Sequence, residues 1–156
     1  MIKNGYTLWL SLMYYRDLLH LIQDVRDIKN KMKQQHGNNF QSFYKQHPKV
    51  KKLRAIRVLM KEDIPSKSPD HHDYRATPPI DNAFRRAKPY GRDRLFFQYC
   101  NVQKTIVYLW FNGDDVTRKR NDKNDVYAHF NAFVKRQIIL HQINSNKYKK
   151  FEEPTK

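Results

Sequence analysis

The sequence predicts a small α+β domain in which helices pack against an antiparallel sheet. Apolar residues recur at the helical period before residue 64 and again after residue 124, whereas residues 84–111 alternate or run apolar as strands do. The chain has 156 residues, about the length of one domain. We therefore expect one domain over residues 1–143 and a polar, basic, flexible tail over residues 144–156.

An amphipathic helix is predicted from Tyr14 to Gly37, which ends the helix together with two asparagines. Its apolar stripe comprises Leu18, Leu21, Ile22, Val25, Ile28 and Met32. The apolar run before it, residues 8–15, is too short to span a bilayer. We expect this run to be either a strand or a helix start in the core.

A second helix is expected from Pro48, which suits a first helical turn, to residues 63–65, which close it. Its buried stripe comprises Leu53, Ile56, Leu59 and Met60. Residues 65–80 are rich in Ser, Pro, Asp and His, and this composition predicts a long surface loop. The adjacent His71 and His72 could suggest a metal site, but adjacent side chains do not readily face one ion and no third ligand is evident. A solvated loop is favoured, and we expect neither metal nor cofactor.

The second half reads as a meander of strands. Residues 84–88 form a short strand candidate, and residues 89–91 turn the chain. Residues 94–100 alternate with large apolar side chains on both faces, and the unbroken apolar run 104–111 fits a central strand covered on both sides. A last helix follows Asn124, a suitable N-cap, with an apolar face of Val126, Phe130, Phe133, Val134 and Ile138.

Positive charge is the strongest indication of a partner. The formal net charge is +16, which favours binding to a polyanion, nucleic acid first. Two clusters flank the predicted strands: Arg85, Arg86, Lys88, Arg92 and Arg94 in the first, and Arg118, Lys119, Arg120 and Lys123 in the second. We expect them to converge on one basic face, with Arg86 and Lys88 on the same side of a strand. The alternative is that these charges only solvate an edge strand and a loop.

Cysteine usage indicates a reducing compartment. The single Cys100 excludes an intramolecular disulfide and any multi-cysteine zinc site, in agreement with a cytoplasmic protein. We expect Cys100 to be a small buried hydrophobe rather than a nucleophile, because no general base for it is identifiable.

Residues 91–99 read GRDRLFFQY and are very similar to the GRYRLFFRY signature of YhaV-type toxins in the RelE superfamily. Further matches to that pattern are Trp110, Phe111, Asn112, Arg118, Lys123, Asp125 and Tyr127. The resemblance covers most of the chain, but only residues 84–136 are specific. It implies the RelE-like microbial RNase fold, with two N-terminal helices and a C-terminal helix on a twisted antiparallel sheet. It also implies a toxin of a type II toxin–antitoxin system that cuts mRNA on the ribosome, neutralised by a PrlF-type antitoxin with an AbrB-like fold. Operator DNA would be bound only through the antitoxin complex.

RNA cleavage without metal has the 2′-OH attack the adjacent phosphate, and it needs a base, an acid and cations around the phosphorus. By position, the resemblance assigns Arg94 to the scissile phosphate and Lys88 to a lysine of the preceding strand. Arg86 stands where the RelE lineage has another lysine. Because a guanidinium is not deprotonated, Arg86 is a better stabiliser than base. Like charges around Lys88 disfavour its ammonium form, so it is the more plausible proton handler.

The resemblance also places Arg118 and Tyr127 in the catalytic set. Tyr127 would stack on a base or move a proton. The remaining cations of the two clusters would bind the RNA backbone: Arg85, Arg92, Lys119, Arg120 and Lys123. Two alternatives stay open, namely that Tyr127 is only an aromatic at the core edge and that Arg94 only pairs with an acidic side chain.

Two other classes of function compete with cleavage. One is a non-catalytic, ParE-like toxin that inhibits a protein target, and it would not need the basic cluster. The other is a plain RNA-binding or ribosome-binding protein, which would need the charge but not the chemistry.

Overall fold

The computed structural model describes residues 1–75, 84–113, 126–136 and 148–150. The strands are β1 (Ile2–Lys3), β2 (Tyr6–Ser11), β3 (Arg85–Ala87), β4 (Leu95–Cys100), β5 (Thr105–Phe111) and β6 (Tyr148–Lys150). The α-helices are α1 (Leu12–His36), α2 (Phe40–Gln46), α3 (Pro48–Val58), α4 (Ile64–Lys67) and α5 (Val126–Arg136). A π turn, Leu59–Asp63, joins α3 to α4, and 3₁₀ turns occur at Gly37–Asn39 and His72–Tyr74. Among the described residues, no helix has both the length and the hydrophobicity that a bilayer-spanning segment needs.

The α+β class is confirmed, but the expectation of a purely antiparallel sheet is wrong. The strand order is β1-β2-β5-β4-β3, and β2 runs parallel to β5. The apolar run 8–15 accounts for the difference, because it is a strand to Ser11 and a helix from Leu12. The chain returns to the sheet as β3 at the far edge, and the antiparallel turns from β3 to β4 and from β4 to β5 bring β5 beside β2 in the same direction.

The amino terminus is a hairpin that the sequence analysis did not predict. Lys3 pairs with Tyr6, which leaves Asn4 and Gly5 as a two-residue loop. Both have positive φ, +47° and +80°, as a type I′ turn requires, and Asn-Gly is the dipeptide that favours this turn.

Part of the expected flexible tail is a strand. β6 pairs antiparallel with the second half of β2, through Trp9, Leu10 and Ser11. The other tail residues lie outside the described ones. A polar, lysine-rich strand is tolerated at an edge because only its backbone must pair.

The predicted first helix is confirmed. Ser11 caps α1, its Oγ accepting the Tyr14 N–H at 3.1 Å, and Gly37 ends the helix with φ +52°. The stripe is buried from Tyr14 to Val25, while Ile28 and Met32 are only half-buried.

The second predicted helix begins at Pro48 as expected, but residues 63–65 do not close it. The chain continues through the π turn into α4 and stays helical to Lys67. In the π register Pro65 would bond the carbonyl of Met60, and it has no N–H to do so. The Tyr108 hydroxyl donates to that carbonyl instead, at 2.7 Å, and helical structure survives the proline. The short α2 is a further helix beyond the two N-terminal ones expected.

The sheet has a core on each face. β5 is buried along its whole length, which confirms the predicted central strand. The predicted alternation of β4 is confirmed too: Leu95 and Phe97 pack under α1 and α3, whereas Phe96 packs under α5. Cys100, at the end of β4, is partly exposed rather than buried.

Candidate active site

Arg86 and Tyr127 meet on the α5 side of the sheet. Arg86 lies in the edge strand β3, and Tyr127 is the second residue of α5. The Arg86 guanidinium donates a hydrogen bond to the Tyr127 hydroxyl at 2.5 Å. The contact joins Arg86, from the first basic cluster, to Tyr127, which the resemblance places in the catalytic set.

An aromatic stack holds Tyr127 in place. Phe96 stacks on Phe130 at 4.0 Å between ring centroids, and Trp110 stacks on Phe96 at 5.9 Å. The Tyr127 ring, 3% exposed, meets Phe96 edge-on at 5.9 Å. Phe96 and Trp110 therefore belong to the core on this face of the sheet. The expectation that Tyr127 could stack on a base is wrong, because its ring is packed in the core, but its hydroxyl contacts a cation.

Arg94 belongs to the same face by register. Arg86 pairs with Phe96, and Arg94 precedes Phe96 by two residues, so Arg86 and Arg94 are diagonal neighbours on the sheet. Arg94 is 9% exposed, and its guanidinium donates to the backbone carbonyl of Asp93 at 2.7 Å.

The two arginines carry charge that no described carboxylate neutralises. Within the described ranges, neither Arg86 nor Arg94 forms an ion pair with a carboxylate. Their buried Nε atoms also have no hydrogen-bond partner among these residues. The alternative that Arg94 only pairs with an acidic side chain therefore finds no support in the described part of the chain.

Lys88 lies one residue beyond β3 and is exposed. Continuing the β3–β4 register by one residue places Lys88 opposite Arg94. It lines a groove with Lys51, Arg54 and Asp63, so two further cations and one carboxylate surround it. The groove lies on the α3 side of the sheet, whereas Arg86 contacts α5, so the expectation that Arg86 and Lys88 share one side is not supported.

Arg85 faces away from this group. Its guanidinium contacts the Asp70 carboxylate at 3.3 Å and lies 5.4 Å above the ring of Tyr99. The Tyr99 hydroxyl donates to the same carboxylate at 2.5 Å. Hydrogen bonds from Tyr99 and then Arg85 lower the pKa of Asp70. Adjacent strand residues point to opposite faces, which explains why Arg85 and Arg86 separate.

The second cluster is not described by the structure. Arg118, Lys119, Arg120 and Lys123 lie outside the described residues, as do the expected N-cap Asn124 and the matched Asp125. Arg92 is exposed in the turn before β4. In that turn the Asp93 N–H donates to the Tyr90 carbonyl at 2.8 Å, and Gly91 has φ +53°, which confirms the predicted turn.

Beside Arg94 lies a buried polar group that the sequence analysis missed. Lys52, 5% exposed, contacts Asp93 at 3.4 Å and donates to the Asn112 carbonyl at 2.8 Å. The side chain of Asn112 accepts from the Arg94 N–H at 2.6 Å. A signal was present, because Lys52 stands four residues before Ile56 on the buried stripe of α3.

The histidine pair has a third potential ligand after all. Asp73 lies 3.3 Å from His71 and 3.2 Å from His72, and ligand atoms of the three lie within 4.8 Å of one another. A 3₁₀ turn from His72 bends the three consecutive residues together. His72 and Asp73 are exposed, as the predicted surface segment requires.

A family model described as "Toxin with endonuclease activity, of toxin-antitoxin system" matches residues 13–145. The chain is 26% identical over 137 residues to the protein named ribonuclease toxin YhaV of Escherichia coli K12, covering 85% of this chain and 84% of that protein. Toxin YhaV of Escherichia coli O157:H7 matches with the same identity and coverage. No solved structure matches the chain significantly. Because the family match spans most of its length, the protein belongs to the YhaV toxin family, whose members are toxins with endonuclease activity in toxin–antitoxin systems.

Proposed function

We propose that this protein is the toxin of a type II toxin–antitoxin system and a metal-independent endoribonuclease that cleaves mRNA on the ribosome. The observation that carries the proposal is the Arg86–Tyr127 hydrogen bond on the face that also holds Arg94. The name ribonuclease toxin, borne by the Escherichia coli K12 relative, agrees with RNA as the substrate. Cleavage of mRNA would stop translation and growth.

The proposed reaction is an internal phosphoryl transfer. The ribose 2′-oxygen loses its proton to a base and bonds to the adjacent phosphorus. The bond from phosphorus to the 5′-oxygen then breaks, and an acid protonates that oxygen. The products are a 2′,3′-cyclic phosphate and a free 5′-hydroxyl. Negative charge increases on the phosphate oxygens in the transition state, where positioned cations stabilise it most effectively.

Arg94 and Arg86 are the proposed phosphate ligands. Both are cations without a carboxylate partner among the described residues, and an arginine fork matches phosphate geometry. Arg118 is proposed as a third, from its match to the family pattern.

Lys88 and Tyr127 are the proposed proton-handling groups. Neither Arg86 nor Arg94 can act as a base, since a guanidinium keeps its proton. Tyr127 accepts a hydrogen bond from Arg86, so its own O–H is directed elsewhere and a negative charge on its oxygen would be stabilised. Lys88 is exposed one residue beyond β3, the strand that carries Arg86.

The other cations are proposed to bind the RNA backbone, namely Arg92, Lys119, Arg120, Lys123 and Arg85. Arg85 differs from the others because Asp70 already holds its guanidinium. We propose for it only a long-range contribution to the positive field.

The proposed neutralising partner is a PrlF-type antitoxin with an AbrB-like fold and an acidic segment. A net charge of +16 favours an acidic partner, and a segment lying over Arg86 and Arg94 would exclude RNA. Co-expression with the neighbouring gene should yield a complex that survives purification at moderate salt. A toxin that purifies alone under these conditions would contradict this part of the proposal. We further propose a RelE-like arrangement of the fold and a cytoplasmic location.

Primer extension on one transcript, with and without translation, tests the proposed function. Arg94→Ala and Arg118→Ala should each lower the cleavage rate about 10²- to 10³-fold and abolish toxicity, while Arg26→Ala, on the exposed face of α1, should leave cleavage and toxicity unchanged. Full toxicity of both site variants would rule out catalysis here and favour inhibition of a protein target. Toxicity that persists with RNA binding but without any cut would favour a plain RNA-binding protein. Cuts that persist without translation would remove the ribosome from the proposal.

A further inference from the structure

The β4–β5 ladder ends in an unusual pair. Leu95 pairs with Phe111, so the next pair along the antiparallel register is Arg94 with Asn112. The Asn112 N–H donates to the Arg94 carbonyl at 3.3 Å, as in a regular ladder. The return bond is different, because the Arg94 N–H donates to the side-chain Oδ1 of Asn112 at 2.6 Å. A side-chain amide has replaced a backbone carbonyl.

Lys52 donates to the backbone carbonyl of Asn112, which would accept the Arg94 N–H in a regular ladder. Its ammonium, on the neighbouring helix α3, donates to the Asn112 carbonyl at 2.8 Å. Asn112 is 1% exposed, so the Lys52 ammonium donates to a buried carbonyl. The Asn112 side chain and the Lys52 ammonium thus make two hydrogen bonds in place of the single backbone bond that would return from Arg94 to Asn112 in a regular sheet.

Asp93 closes the network. Its carboxylate accepts from the Asn112 Nδ2 at 3.2 Å and lies 3.4 Å from the Lys52 ammonium. The Asp93 backbone carbonyl in turn accepts a hydrogen bond from the Arg94 guanidinium. Both the backbone and the side chain of Arg94 are thus held by residues bonded to one another.

Stability alone is a weak reason for this arrangement. Burying an ammonium carries a large desolvation cost, and replacing a buried ion pair by apolar residues is often neutral or stabilising. A fixed position of Arg94 is a more specific gain. A misplacement of about 1 Å at a reacting centre can cost on the order of 10²-fold in rate.

We propose that Lys52 and Asn112 are positioning residues that hold Arg94 where the scissile phosphate needs it. The inference rests on the proposed function for the role of Arg94. Neither residue touches substrate, and both act through the backbone and side chain of Arg94.

A double-mutant cycle tests the inference. Asn112→Ala and Lys52→Met are made alone and in the Arg94→Ala background, and kcat and KM are measured on a short RNA below the unfolding temperature of every variant. Each single variant should lower kcat on the order of 10²-fold. In the Arg94→Ala background neither should lower it further. Independent, additive losses would overturn the inference, as would unchanged kcat in both single variants.

Ser11→Ala is the matched control. Ser11 is buried, and its hydroxyl donates to the Leu109 carbonyl at 2.6 Å. Like Lys52, it bonds a backbone carbonyl with its side chain, but it does so in β5 and away from Arg94. It should reduce stability without lowering kcat.

Amide hydrogen exchange separates the inference from the proposed function. The Arg94 amide should exchange faster in Asn112→Ala and Lys52→Met than in Ser11→Ala, whatever the activity. If Arg94→Ala alone retains full cleavage, the proposed role of Arg94 fails while the exchange result still reports positioning. If exchange at Arg94 is unchanged in both variants, the positioning inference fails.

Discussion

The hydroxyl of Tyr127 accepts a hydrogen bond from the guanidinium of Arg86, across 41 positions of sequence. The bond ties the edge strand β3 to the first turn of α5. It also sets a phenol and a cation side by side at the rim of an aromatic core, where the ring is immobilised and the polar tip meets charge.

Removing the Tyr127 hydroxyl should separate catalysis from stability. Tyr127→Phe should lower the single-turnover cleavage rate about 10²-fold or more, the range of general acid–base catalysis. Its stability should fall by about 1.5–3 kcal/mol, the range for a hydrogen bond to a charged group. Single-turnover kinetics and urea denaturation measure the two effects.

Tyr99→Phe is the matched control for that variant. The Tyr99 hydroxyl also contacts an arginine, Arg85, but on the opposite face of the sheet. Cleavage should be unaffected. Equal losses in both variants would remove Tyr127 from the chemistry.

The salt dependence of RNA binding should report individual phosphate contacts. With a non-cleavable 2′-deoxy substrate, Arg92→Gln should reduce the slope of log K against log salt by about 0.7, the value for one contact with a single strand. Arg26→Gln, exposed on α1, should leave the slope unchanged. Fluorescence anisotropy at several salt concentrations measures both. An unaltered slope in Arg92→Gln would show that Arg92 binds no phosphate.

Stability should depend on Asp70 in acid. Hydrogen bonds from Tyr99 and Arg85 lower the pKa of this carboxyl from its ordinary 3.8. A carboxyl whose pKa is lower in the folded state contributes stability above the unfolded pKa and loses it as the pH falls through the folded pKa. Asp70→Asn should therefore be less stable than the parent near neutral pH, and the difference should shrink as the pH falls below the ordinary value of 3.8. Denaturation curves across this range measure the difference, and a constant difference at every pH would contradict the assignment.

The hydroxyls of the two buried tyrosines beside Met60 should contribute differently to the free energy of unfolding. Tyr108 donates to the Met60 carbonyl at 2.7 Å, whereas Tyr14 donates to its thioether sulfur at 2.9 Å. Pro65 cannot serve that carbonyl, so Tyr108→Phe leaves it unsatisfied and should cost about 1–3 kcal/mol of unfolding free energy. Tyr14→Phe should cost less, because a thioether is a weak acceptor. Equal costs would show that the carbonyl finds another donor.

Periodicity predicted those elements that bury one continuous face. The stripe of α1, the alternation of β4 and the apolar run of β5 all depend on spacing within a single segment, and all three are confirmed. The parallel pairing of β2 was not predictable in this way, because a short apolar run carries no information about the direction of its neighbour. The predicted helix end at residues 63–65 is wrong for a related reason. Pro65 of α4 cannot donate to the Met60 carbonyl, and the donor that replaces it, Tyr108, comes from the distant strand β5.

By itself the sequence determined the α+β class, the basic charge, the resemblance to a toxin family and the residue types from which a phosphate site can be built. Only the tertiary structure decided how the neighbours Arg85 and Arg86 divide, one held by Asp70 and the other against Tyr127. It alone showed that Lys52 is linked to Arg94 through Asn112, which accepts a hydrogen bond from each of them. The physical reason is that charge and periodicity are properties of one segment, whereas the partner of a buried polar group is set by which distant segment the packing of the core brings beside it.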